Sequence, residues 1–240
     1  MEMSLHVASA GQRNLQEQLS VVANNIANST TAGYRAEIVD FKALVSRSPS
    51  EDVHFPQVAK LYPSVQQGSL DRTDNPYDIA ISGDGWFAIQ TPAGTAYTRD
   101  GRLTVNGFGE LQSIEGFPIL DSGGAPIQLN NTSSAPEIAG DGRIIIGGRT
   151  VGNIGIFEMP PENMTSRFSN SAFLASVPGV AVIPGSGVSI NQGFIESSNV
   201  NPLNEMANLI TISKSYSSVS TLIGHVDKAL GKSVEILGGT

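Results

Sequence analysis

Apolar residues recur every three or four positions at the two ends of this chain and not in the long stretch between them. Near the start, Leu5, Ala8, Leu15, Leu19, Val22 and Ile26 fall at heptad spacings, with Gln12 interrupting the seam. Such spacing places an apolar stripe on one helical face. It predicts a helix from about Ser4 to Asn28, with Ser4 able to cap it. β-branched Thr30-Thr31 and Gly33 end the pattern. Near the other end, Leu209, Ile212, Tyr216, Val219, Ile223, Val226 and Leu230 follow alternating steps of three and four. They predict a second, longer helix over Pro202–Leu237. Asn201 suits its cap, Pro202 its first turn and Glu205 its positive dipole end, and Gly238-Gly239 closes it.

The middle obeys a different rule. Asp84-Gly85, Asp100-Gly101, Asn106-Gly107, Gly123-Gly124 and Gly147-Gly148 punctuate short β-prone runs such as Trp86–Gln90, Arg143–Ile146 and Ile154–Phe157. Many short strands between turn signals predict an all-β module, a sandwich or irregular barrel. Its apolar runs suffice for a core, so residues 64–195 are expected to fold without either helix. Trp86 and Phe87 are expected to anchor that core, since aromatic burial contributes strongly. Residues 36–67, with Pro49, Pro56 and Pro63 and no clean period, read as an extended connector. The expected fold class is α+β, mainly β: an N-terminal helix and signature in 1–35, the connector in 36–67, a central β module in 68–195, and a C-terminal helix in 196–240. Because both end helices share heptad logic, they are expected to pair as a coiled coil. The alternative is that each packs only on the β module.

Composition narrows the function. Net charge is −8, no Lys/Arg cluster occurs, and only 15% of residues are charged. Nucleic acid, which needs a basic patch, and anionic membrane surfaces are therefore not expected partners. No apolar run approaches the length of a bilayer span, so no membrane insertion is expected. Met1–Ala10 lacks the pattern of a Sec-type signal peptide. Without cysteine, thiol catalysis, disulfides and zinc–thiolate sites are excluded. His6, His54 and His225 lie in three separate zones without a second ligand at metal spacing. Neither a nucleophile elbow nor a phosphate-cradling glycine loop is present. Asp71, Asp74, Asp78 and Asp84 lack the spacing of a calcium loop and read as turn residues. No catalytic residue, metal or cofactor is expected, and the chain reads as a structural protein.

Three segments carry a resemblance. Residues 19–35, with Asn24, Asn25, Asn28 and Gly33, resemble the N-terminal signature of bacterial flagellar rod and hook proteins. Residues 68–120, including Gly68-Ser69-Leu70-Asp71-Arg72, Tyr97-Thr98-Arg99-Asp100-Gly101 and Gly109-Glu110-Leu111, resemble that family's central block. Residues 193–216, with Gly193–Glu196, Asn199, Asn201-Pro202 and Glu205-Met206, resemble its C-terminal signature. The match is closest to the proximal rod branch, although Trp86 stands where Phe is usual and Asn204 where an acidic residue is common. The resemblance implies a subunit of the basal-body rod in the periplasm, exported by the flagellar type III apparatus. Its neighbours would be other copies of itself and other rod proteins. Assembly would run through the helix seams: Leu15, Leu19, Val22 and Ile26 in the first helix, and Leu209, Ile212, Tyr216, Val219, Ile223, Val226 and Leu230 in the second. The competing readings are a distal rod or hook subunit and, from another class, a secreted β-rich hydrolase or binding module.

Overall fold

A computed structural model describes residues 2–47, 52–129, 134–182 and 187–238. The side chains of Leu5, His6, His54 and Leu230 lie outside the described residues, as does Pro49. The chain has a mainly β body and two terminal helices, and it divides into two compact units. One gathers Met1–Ala27, Glu37–Leu61 and Asn201–Thr240, and the other gathers Asn28–Ala36 and Tyr62–Val200.

In the first, helical unit, α1 spans Glu2–Ala27 and α2 spans Pro202–Gly238. The first helix begins two residues ahead of Ser4, because Glu2 and Met3 are themselves good helix formers and nothing in the sequence stops the chain there. The two helices pack along each other. In α2, Glu205, Leu209, Ile212, Tyr216, Val219, Ile223 and Val226 are half-buried. Nearly every position between them is exposed, so a single stripe at steps of three and four is covered. In α1, Val22 is buried and Leu15, Leu19 and Ile26 are half-buried. Outside the stripe, α2 mixes exposed apolar side chains with many uncharged polar ones. Thr211, Ser215, Ser218 and Thr221 each donate a hydroxyl to the carbonyl four residues back, which satisfies them without ionic partners. Asn201 starts this helix: its Oδ1 accepts the N–H groups of Leu203 and Asn204 at 3.1 and 3.2 Å. The proline-containing stretch has regular structure of its own, since Glu37–Arg47 and Asp52–Pro63 pair into a two-stranded sheet.

The second, β unit is built from short strands. Its largest sheet has six, in the order Met164–Arg167, Ala172–Ala175, Gly94–Thr98, Trp86–Thr91, Ile156–Glu158 and Val180–Ala181. Smaller antiparallel sheets accompany it, among them the pairs Ser189–Gln192 with Ile79–Ser82 and Phe194–Glu196 with Leu70–Arg72. One core holds Ile79, Ile81, Phe87, Ile89, Leu111 and Ile144. A second is aromatic, with Trp86 edge-on to Phe173 and Tyr97 edge-on to Phe157. Phe87 is fully buried and Trp86 nearly so, and the two serve different cores because alternate strand residues face opposite ways. Among the described residues, no helix is long and apolar enough to cross a membrane and no cluster of side chains is arranged to hold a metal.

Candidate functional site

The β unit buries a charged knot. Glu196, at the end of its strand, places Oε1 2.7 Å from the guanidinium of Arg35 and Oε2 3.1 Å from that of Arg99. The three side chains are 0%, 1% and 3% exposed. Glu196 Oε1 also accepts the N–H of Gly68 at 3.2 Å. Two further guanidinium nitrogens find backbone: Arg35 Nη1 donates to the carbonyls of Val65, at 2.9 Å, and Gln66, and Arg99 Nη2 donates to that of Gly83 at 2.9 Å, while Nε of each arginine is buried without a hydrogen-bond partner among the described residues. Two cations share one buried anion, which desolvation makes costly. Burial pushes the Arg35 guanidinium down to about 10, against the pull of Glu196. It pushes that of Arg99 down as well. Trp86 offsets part of the excess positive charge, because both guanidinium carbons lie over its ring, at 5.8 Å for Arg35 and 5.4 Å for Arg99.

The backbone around the knot is tied to match. Gly33 donates its N–H to the carbonyl of Glu196 at 2.7 Å. It does so at φ 68°, where a Cβ would stand 2.2 Å from the backbone nitrogen of Asp100. Only glycine fits both demands. Asn199 accepts the N–H of Ala36 at 2.7 Å and donates to the carbonyl of Gln66 at 2.7 Å. Ser197 donates its hydroxyl to Asp71. The segment that follows α1 and the segment that precedes α2 are thereby fastened to each other and to the loop at residues 65–68. Beside the knot opens a cleft of about 450 Å³, lined by Arg35, Arg99, Trp86 and the Met159–Glu162 segment.

The residues singled out from the sequence fall into two groups. Gly33 and Asn199 belong to this knot. Asn25 is buried in the helical unit, where it accepts the N–H of Glu37 at 2.9 Å and donates to its carbonyl at 3.2 Å. Asn201 caps α2, and Asn28 turns the chain by accepting both the N–H and the hydroxyl of Thr31 at 3.1 Å. Asn24 is exposed on α1. The seam residues lie on the two helices, in the other unit. Arg35, Arg99 and Glu196 were not singled out as a site, since isolated charges carry no periodic signal. Each nevertheless lies inside one of the three resemblance segments.

Residues 5–35 match the description "Flagella basal body rod protein", residues 80–146 "Flagellar hook protein FlgE/F/G D1 domain", and residues 191–236 "Flagellar basal body rod FlgEFG protein C-terminal". The flagellar basal-body rod protein FlgF of Mesorhizobium japonicum is 42% identical over 238 residues, covering 99% of each chain. The chain belongs to the flagellar basal-body rod protein family. FlgF of Rhizobium meliloti is 38% identical over the whole of both chains, and FlgG of Bacillus subtilis is 28% identical over 98% of this chain and 99% of its own. The FlgF likeness favours the proximal rod branch over the distal rod or hook reading. As a rod-family member the chain is a structural subunit of the basal-body rod and not an enzyme, which sets aside a secreted hydrolase. Gly33 and Arg35 come from the first matched span, Arg99 and Asp100 from the second, and Glu196 and Asn199 from the third. The buried knot is where the three family segments meet.

Proposed function

We propose that this subunit polymerises through its two terminal helices, as a coiled-coil seam, into the proximal part of the periplasmic drive shaft that transmits torque. The observation that carries this reading is the state of α2. Leu209, Ile212, Tyr216, Val219, Ile223 and Val226 are only half-buried within one subunit. The same helix leaves Leu203, Met206, Ile210 and Leu222 exposed. Full burial of such side chains contributes about 1.5–3 kcal/mol each, so a lone subunit leaves much of that contribution unused. Helices of adjacent copies and of neighbouring rod proteins supply the missing surface, and heterologous contacts of this kind propagate into helical assemblies. Leu230 extends the α2 seam by its spacing, and Leu15, Leu19, Val22 and Ile26 form the α1 seam. The chain reaches the rod through the flagellar type III export apparatus. Its buried knot holds both helix junctions at fixed places in the β unit, as a torque-bearing part requires.

The test is to purify basal bodies from cells carrying an epitope-tagged chain and from a deletion strain. The tag is expected in the rod, and the deletion strain is expected to lack complete rods and to be non-motile. Complete rods in motile deletion cells would overturn the proposal.

A further inference from the structure

Residues 28–36 belong to the β unit, yet residues 37–61 separate them in sequence from the rest of it, 62–200. They form a strap whose Ala32, Gly33, Tyr34 and Arg35 are all buried. Most of what holds the strap comes from residues 196–199. Gly33 donates its N–H to the carbonyl of Glu196 at 2.7 Å, and the Tyr34 carbonyl accepts the N–H of Asn199 at 3.4 Å. Ala36 donates its N–H to Asn199 Oδ1 at 2.7 Å, and the Arg35 guanidinium meets the Glu196 carboxylate at 2.7 Å. The other ties are the bonds of Arg35 Nη1 to Val65 and Gln66, of Ser64 N–H to the Ala36 carbonyl, and of Arg167 to the Arg35 carbonyl.

The dependence runs one way. Remove the strap, and the strand Phe194–Glu196 still pairs with Leu70–Arg72 and Ser197 still donates its N–H to Ser69 at 2.8 Å. Glu196 keeps Arg99 at 3.1 Å and the N–H of Gly68 at 3.2 Å, which leaves a neutral pair. The groups that lose the strap, the Glu196 carbonyl and the Asn199 side chain, turn to water. Remove residues 196–199 instead, and a docked strap carries Arg35 into the interior beside Arg99 with no buried carboxylate between them. It also buries the Gly33 N–H without its acceptor. Asp84 attracts both guanidinium groups, but it is exposed and its pull is weakened by solvent. Unpaired buried charge and an unsatisfied buried amide both oppose docking.

We propose that the strap 28–36 is the last piece of the β unit to dock and the first to leave, and that residues 196–199 gate it. Synthesis delivers the strap long before Glu196, so the segment after α1 stays open until the last strand of the β unit is in place. The same holds for any passage that threads the chain from its N-terminus. That consequence for export rests on the rod-subunit reading, whereas the docking order is a property of the chain alone.

The test is native-state hydrogen exchange of the purified full chain, read by NMR. The strap is followed at the amides of Gly33 and Ala36, and the strand pair at those of Thr73 and Ser197, which bond Gly193 and Ser69. Opening of the strap alone is expected to make the first two exchange about tenfold or more faster than the second two. Asn199→Ala removes a partner of Ala36 without touching the strand ladder. It is expected to speed Gly33 and Ala36 further and to leave Thr73 and Ser197 unchanged. Equal rates at all four amides in the parent chain, or slower exchange in the strap, overturn the order. So does an Asn199→Ala chain in which all four accelerate together. If that variant does not fold, the parent chain decides by itself. Each of these outcomes leaves the rod reading intact, since the measurement involves no rod.

Discussion

Arg35 and Glu196 meet at 2.7 Å in the interior of the β unit, although one follows the first helix in sequence and the other shortly precedes the second. Glu196 is the carboxylate that Arg35 and Arg99 share. Glu196→Gln therefore leaves two buried cations without a counter-charge, and the loss is expected to be about 3–5 kcal/mol. Trp86 is the chain's one tryptophan and lies under both guanidinium groups, so urea unfolding followed by its fluorescence reads the knot directly. Replacing all three charges together, as Arg35→Met, Arg99→Met and Glu196→Leu, is expected to recover most of the stability, because an apolar cluster of similar volume has no desolvation to offset. A Glu196→Gln protein as stable as the parent would contradict the electrostatic role.

The same knot sets the limits of an independently folding fragment. Residues 64–195 contain Arg99 but neither Arg35 nor Glu196. That fragment, which the sequence alone marked as self-sufficient, is expected to be unstable because it buries an unpaired guanidinium. A fragment that joins residues 28–36 to 62–200 by a short linker keeps all three charges and is expected to unfold cooperatively. Circular dichroism and urea titration of the two fragments distinguish these outcomes. Equal stability would show that the ends of the unit are dispensable.

Gly33 and Gly147 allow close packing to be separated from backbone strain. Both have positive φ, 68° and 59°, but a Cβ at Gly33 meets the backbone of Asp100 at 2.2 Å, whereas one at Gly147 meets nothing within 4 Å. Gly147→Ala is expected to cost only the left-handed penalty, about 1–2 kcal/mol. Gly33→Ala adds a clash with backbone that cannot rotate away, and is expected to cost clearly more. Denaturant midpoints of the two variants provide the comparison, and equal midpoints would mean that the segment after α1 shifts freely.

Much of this organisation was legible in the sequence. The second helix could be read because the period of Leu209, Ile212, Tyr216, Val219, Ile223 and Val226 survives in an isolated sequence, and the structure half-buries these positions together with Glu205 and Gly224; their role as an assembly seam is the proposal made above. Turn pairs such as Asp84-Gly85 and Asn106-Gly107 marked the β unit. The two-stranded sheet of Glu37–Arg47 and Asp52–Pro63 was not legible, because Pro56 and Pro63 read as interruptions and no clean alternation marks the strands. The knot was hidden for a different reason. Arg35, Arg99 and Glu196 are single charges far apart in sequence, and only the tertiary fold brings them together. The available clue was their position inside the three family-like segments, in a chain with few charged residues.

Ile223 offers the most direct measurement of the central claim, that the terminal-helix seam builds the rod. It is half-buried in the α2 stripe, one step before Val226, and lies outside the β unit. Ile223→Asp puts a carboxylate with no partner into an apolar contact, at a cost of several kcal/mol repeated in every copy. Lys214, exposed on the same helix, provides the control, and Lys214→Ala is expected to be nearly silent. The measurement is swimming motility together with the amount of the chain in purified basal bodies, alongside the stability of the purified monomer. If the seam joins subunits, the Ile223→Asp protein is made, exported and stable in its β unit, yet absent from rods, and the cells do not swim. Normal motility with normal rod occupancy in the Ile223→Asp strain would contradict the seam.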